Sequence, residues 1–261
     1  MAAAAAAFAK TYPVDGIVLA LDPAAHTMLV SHRPIARYMP AMVMPFRVSQ
    51  PADLAALYPG ARVRFDLVIK NRRSLARNLR KAEEPDAAGP DAAIAPPKEQ
   101  LHVGDALPDF RLIDQLGRTI EPADLRGKVA AIDFIYTRCP LPDVCPRLSA
   151  NFATLQRRFR GRDVVLLSVT VDPDYDTPAV LADYGKRWAA DPSAWRFLTG
   201  DAGPLAAALG EVYWTDEGSI GHNSTTTIVD RHGRIAAMVE GTNYRIDQLE
   251  HLIARELEKP Q

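Results

Sequence analysis

Two cysteines serve the whole 261-residue chain, Cys139 and Cys145, and both lie in the stretch TRCPLPDVCPRLS, Thr137–Ser149. Thiols six positions apart on one helix would point roughly 120° away from each other, so a shared helix cannot bring them together. Pro140 and Pro142 hold the intervening backbone out of the α conformation, while Pro146 suits the first position of a following helix. The spacing predicts Cys139 at the end of a strand, then a five-residue loop, then Cys145 as a helix N-cap. An exposed thiol there meets unpaired N–H groups and a helix dipole that favour the thiolate. Such a pair fits redox exchange or soft-metal binding. The plainer reading is a structural disulfide, but cross-linking a loop of about seven residues would add only ~2–2.5 kcal/mol. A closed zinc site wants four ligands and no further cysteine is present; a three-ligand soft site suits copper better.

Other soft donors are concentrated in SHRPIARYMPAMVMPFRV, where Met39, Met42 and Met44 are three of the six methionines of the chain. On a strand, Met42 and Met44 point to the same side, and so do Phe46 and Val48. The cluster reads equally as the core face of a small barrel or as a thioether site for Cu(I) or Ag(I) completed by His32. Farther along, His222 precedes a Ser/Thr-rich strand; by residue type alone such a histidine is more often a surface group bonded to its neighbours than a ligand. Asp172 and Asp176, in VDPDYDTP, fit either orientation of the cysteine loop or ordinary turn and helix-start chemistry.

The elements that must position these residues fall into two groups. Residues 81–100, KAEEPDAAGPDAAIAPPKEQ, form a linker of Ala, Pro and acidic residues stiffened by four prolines. Before it, YPVDGIVLALD, HTMLVSHRPI, AMVMPFRV and ARVRFDLVIKN are short β-rich runs separated by Pro and Gly punctuation, the pattern of a small all-β barrel over 13–80. The basic run KNRRSLARNLRK reads as a solvated edge strand with protective charges. After the linker, over 101–261, DFRLIDQLGRTIEP reads as a hairpin at Gly117, and VAAIDFIY and VVLLSVTVD as buried parallel strands. Leu148, Phe152, Leu155 and Phe159 mark one helix face; Thr177 followed by Pro178 starts another helix lined by Leu181, Tyr184 and Trp188. STTTIVD and RIAAMVEG form a hairpin, and Ile246, Leu249, Ile253 and Leu257 stripe a last helix. This is an α/β layer order. The start, residues 1–12 with MAAAAAAFAK, reads as a low-complexity leader, and no apolar run approaches the ~18 residues of a spanning helix. With 31 basic and 32 acidic residues, no global field draws the molecule to nucleic acid.

Two resemblances sharpen the reading. LPDFRLIDQLGRTIEPADLRGKVAAIDFIYTRCP resembles the opening of a thioredoxin-like domain, and CPLPDVCP, SVTVDPDYDTP and GHNSTTTIVDRHGRI are similar to the Sco/SenC copper chaperones, from His102 to about Leu257. That resemblance implies copper binding by Cys139, Cys145 and His222, although the family usually places three residues between its cysteines and this chain has five. Val14 to about Lys81 is similar to the CusF-type periplasmic copper/silver-binding domain, a five-stranded barrel of the OB kind. It implies His32, Met42 and Met44 as ligands, with Met39 where that family has a covering tryptophan, as a fourth ligand or solvent shield.

Together these imply an exported, periplasmic copper metallochaperone. It would deliver copper to an acceptor such as the CuA site of a cytochrome c oxidase subunit or another cuproprotein, with any membrane attachment through a segment not present here. The competing expectation is a thiol:disulfide oxidoreductase in which Cys139 and Cys145 reduce the cysteines of a copper acceptor. Peroxide scavenging, hinted at only by Thr137 and Arg138, and passive metal buffering are weaker alternatives.

Overall fold

The structure is a computed structural model that describes residues 9–70, 73–82, 100–216 and 219–260. Most of the expected linker and leader residues 1–8 lie outside the described residues. The chain divides into two compact units: Met1–Glu84 with Pro140–Pro146, and Pro85–Cys139 with Arg147–Gln261.

The first unit is all β. Strands β1 (Lys10–Asp22), β2 (Thr27–His32), β3 (Met42–Arg47), β4 (Arg62–Lys70) and β5 (Arg73–Lys81) pair antiparallel in the order β3-β2-β1-β4-β5. β1 begins three residues inside the stretch read as leader. A bulge between Val18 and Ala20 bends β1, which pairs with both β2 and β4. The two edges then meet: Val48, just past β3, bridges Ala76 on β5, and Ser49 N donates to Ala76 O at 3.0 Å. That contact curls the sheet toward a closed barrel. Val14, Val18, Met28, Val30, Phe46, Val63, Phe65 and Leu67 fill its interior. The unit also takes in Pro140–Pro146: Ser31 Oγ donates to Pro140 O at 2.9 Å, and Asp143 accepts from Arg33 Nε at 2.6 Å and Arg62 Nη2 at 2.5 Å.

The second unit is α/β. Its strands are β6 (Leu112–Asp114), β7 (Thr119–Ile120), β8 (Val129–Ile135), β9 (Val164–Thr170), β10 (Trp195–Thr199), β11 (Tyr213–Asp216), β12 (Ser219–His222), β13 (Thr225–Val229) and β14 (Ile235–Glu240). Its helices are α1 (Cys145–Arg158), α2 (Pro178–Arg187), α3 (Gly203–Ala208) and α4 (Ile246–Glu258). Seven strands form one sheet in the order β14-β13-β8-β9-β10-β6-β7, with β8, β9 and β10 parallel, and β11 and β12 form a separate hairpin.

β8 and β9 are buried along their whole length, as their continuous apolar runs demand. α1 and α2 cover a shared face: Phe152 meets Trp195, Tyr184 meets Phe197, and Ser149 Oγ lies 2.9 Å from Tyr184 Oη. Thr177 caps α2 as its sequence requires, its hydroxyl accepting from Val180 N at 3.4 Å. β10, α3 and the β11–β12 hairpin were not anticipated from sequence, being short and without a repeating apolar pattern. Among the described residues, no helix is long and apolar enough to cross a membrane.

Candidate metal sites

In the barrel, pairing of β2 with β3 sets His32 directly opposite Met42 and Val30 opposite Met44. Residues directly opposite one another in an antiparallel pair share a face, and the next pair but one shares it too, so His32, Met42 and Met44 stand on one side. That side runs from the core to a rim: Phe46 is buried, Met44 partly buried and Met42 38% exposed. The methionines therefore line the barrel at one end of this face and reach solvent at the other.

His32 is fully buried and lies edge-on to Phe46 at 5.6 Å. Its Nδ1 lies 2.8 Å from the Arg33 carbonyl, an acceptor, so Nδ1 carries the proton and Nε2 presents a lone pair. Nε2 is buried and has no hydrogen-bond partner. Leaving such an atom unpaired costs about 1–3 kcal/mol, so a residue held this way asks for a ligand. Met39 is placed by reciprocal bonds with Ile35, N to O at 2.9 and 3.1 Å, and packs against the barrel core. Gly16 pairs with His32 from β1; a Cβ there would come within 2.7 Å of Val30 Cγ1 and closer still to Ser31 O, so only glycine lets β1 approach the His32 end of β2.

Cys139 follows β8, with its N–H donating to Tyr136 O at 3.2 Å, and Cys145, at the far end of the loop, opens α1. The helix begins one residue earlier than the expected N-cap assignment, so Cys145 is its first residue, still among the N-terminal amides. Both residues are thiols, not a disulfide, and they are 4% and 0% exposed, correcting the expectation of exposed thiols.

Asp172 and Asp176 fix the two residues before Cys139. Asp176 accepts from Thr137 N at 3.0 Å, from the Thr137 hydroxyl and from Thr170 Oγ1 at 2.5 Å. Asp172 Oδ2 accepts from Arg138 Nε and Nη2 at 3.0 and 2.6 Å, and the guanidinium sits 4.1 Å over the Tyr175 ring. Burial raises the Asp176 carboxyl above its ordinary value against the pull of those hydroxyls. Of the two sequence readings, orientation of the cysteine loop is the one these bonds perform.

His222 ends β12 with its side chain 1% exposed, unlike a surface histidine. Its Nδ1 lies 2.7 Å from Glu211 Oε1 and 2.5 Å from Asn223 O. Burial pulls the imidazole down, but Glu211 first, and then Cys139 and the Asn223 carbonyl, carry it above its ordinary value. Tyr136 lies edge-on to the ring at 6.0 Å. Glu211, itself buried, is raised by desolvation. Nothing in the sequence marked it, because it precedes His222 by eleven residues with a hairpin between. Among the described residues, no three His, Cys, Asp or Glu side chains are gathered into a ready-made metal cluster.

The family model described as SCO1/SenC matches residues 98–258, well over half of the chain. The chain belongs to the SCO1/SenC family. A second family model, described as copper binding periplasmic protein CusF, matches residues 11–80. Among curated Sco relatives, the SCO2-like protein of Rickettsia typhi is 30% identical over 149 residues, covering 52% of this chain and 70% of its own length. The SCO1 protein homolog of Bacillus subtilis is 32% identical over 93 residues, covering 35% of this chain; the chain spans only 47% of that relative's length. A SCO1/SenC family lipoprotein from Bacillus anthracis, 28% identical, superposes with a TM-score of 0.54, covering 64% of this chain and all of that one. The α/β part of the chain therefore has the thioredoxin-like Sco fold and the N-terminal part the CusF-like barrel.

Proposed function

We propose that this Sco protein is a copper metallochaperone with two soft-ion sites, one per domain: a barrel over 13–80 and a thioredoxin-like domain over 101–261, joined by the linker. Copper is its cargo. The barrel holds Cu(I) through His32, Met42 and Met44, with Met39 beside them; the second domain holds copper through Cys139, Cys145 and His222. The observation that carries this reading is the buried, unpartnered Nε2 of His32 on the face it shares with two thioethers. A proton-bearing neighbour would have satisfied that nitrogen; a soft cation satisfies it and matches the sulfurs. His222 supports the same reading, because its Nδ1 is likewise turned to the carbonyl of the following residue.

Delivery then runs to a copper-accepting protein such as a CuA-bearing oxidase subunit, in the periplasm or another exported space. The matched family model is named for a periplasmic protein and the Bacillus anthracis relative is a lipoprotein, which support that compartment.

A second reading, thiol:disulfide exchange, is favoured by one feature: Cys145 at the first turn of α1, where a thiolate is stabilised. Burial of both thiols weighs against it, since attack on a partner's disulfide needs an accessible sulfur. Anaerobic Cu(I) titration of the intact protein separates these. Two ions per chain are expected, one for His32→Ala/Met42→Ala and one for His222→Ala. Unchanged stoichiometry in both variants sinks the chaperone reading. Disulfide reduction that survives His222→Ala alongside lost copper would assign the cysteines to both roles.

A further inference from the structure

We infer that Glu211 is a positioning residue for His222 that biases the thiol site toward the doubly charged copper ion. The inference rests on the reading of Cys139, Cys145 and His222 as a copper site and goes beyond it by naming what sets the preferred oxidation state.

The geometry is specific. The His222 and Glu211 side chains are 1% and 0% exposed, with Nδ1 and Oε1 at 2.7 Å. The second carboxylate oxygen accepts from Thr225 N at 3.0 Å, so Glu211 cannot swing away without losing both partners. Asn223 clamps the same two segments. Its Oδ1 accepts from Val212 N at 2.5 Å, its Nδ2 donates to Gly210 O at 2.8 Å and its N–H donates to Val212 O at 3.1 Å. Histidine and carboxylate are thus locked together at the root of the β11–β12 hairpin.

With two acceptors facing it, Nδ1 keeps its proton, and Nε2 is the nitrogen the ring offers to an ion. A carboxylate behind the imidazole raises its basicity and adds a negative charge to a set that already holds two thiolates. Balancing three negative charges leaves −1 with Cu(II) and −2 with Cu(I). In buried surroundings the residual charge is expensive, so the carboxylate favours the ion of higher charge.

The test uses the full chain carrying His32→Ala/Met42→Ala, so that only the thiol site reports. Cu(I) and Cu(II) affinities are measured by competition, with the thiolate-to-Cu(II) absorption band as a second readout. Glu211→Gln is expected to lower the Cu(II)-to-Cu(I) affinity ratio on the order of tenfold and to shift that band. Added to His222→Ala, the same substitution is expected to move the ratio less, because only the carboxylate's charge, and no longer its hold on the imidazole, then acts on the site. An unchanged ratio in Glu211→Gln, with copper binding still weakened by His222→Ala, overturns the inference and spares the site. Copper binding unaffected by His222→Ala overturns the three-ligand reading and the inference with it. Should Glu211→Gln fail to fold, nitrogen-15 spectra of the parent protein decide: Nδ1 protonated to the highest pH reached supports the inference, and a bare Nδ1 overturns it.

Discussion

Asp133 lies at the middle of β8 with no exposure and no hydrogen-bond partner for either carboxylate oxygen. Desolvation pushes its carboxyl up to about 8; its neighbour across the strand pair, Ser168, whose hydroxyl accepts from Trp195 Nε1 at 3.0 Å, offers only partial relief. The folded protein therefore holds this proton to about pH 8, while the unfolded chain releases it near the ordinary 3.8. Between those values the unfolded state binds fewer protons, so stability falls as pH rises, by up to about 1.4 kcal/mol per pH unit. Asp133→Asn is expected to flatten that decline and to raise stability near pH 7.5 by on the order of 2 kcal/mol. Urea unfolding at pH 5, 6.5 and 8 checks it; equal pH slopes for parent and variant would show that the residue ionises freely in the fold.

At the scale of elements, two local arrangements hold the candidate ligand residues. Where β1 meets β2, Gly16→Ala forces the strands apart against Ser31 O and Val30 Cγ1. The expected cost is about 1–3 kcal/mol, together with weakened copper binding at His32 and Met42 and unaltered binding at the thiols. Copper titration of the full chain, read beside thermal unfolding, would contradict this if the barrel site kept parent affinity. Where β9 turns toward α2, Asp176→Ala removes the acceptor of Thr137 and Thr170. It is expected to cost about 1–3 kcal/mol and to speed alkylation of Cys139, whose lead-in residues it anchors. A thiol-labelling rate equal to the parent's would mean that β8 alone fixes the loop.

For the whole molecule, an ion that binds the folded chain and not the unfolded one raises apparent stability by RT ln(1 + [L]/Kd), about 2.7 kcal/mol at a hundredfold excess over Kd. Cu(I) is expected to raise the unfolding temperature of the intact protein. The rise should be smaller in His32→Ala/Met42→Ala and in Cys139→Ser/Cys145→Ser, and absent when all four substitutions are combined. Scanning calorimetry with and without Cu(I) reads this; a combined variant still stabilised by copper would place a site elsewhere. The near balance of 31 basic and 32 acidic residues leaves recognition of any protein partner to local surface and not to a long-range field.

The sequence by itself determined the class of chemistry and most of the scaffold. Two cysteines separated by prolines cannot share a helix, three methionines within six positions concentrate thioethers, and apolar periods of two and of three to four residues mark strands and helices wherever the runs are long. Those signals are local, so they are written in neighbouring residues. Only the tertiary structure decided that His32, on the face it shares with Met42 and Met44, buries an unpartnered nitrogen, that the thiols are buried, and that Asp172 and Asp176 grip Arg138 and Thr137. It alone brought Glu211 to His222 across a hairpin. Burial and hydrogen-bond partnership are set by strand register and by what packs from distant parts of the chain, and no spacing along the chain encodes them.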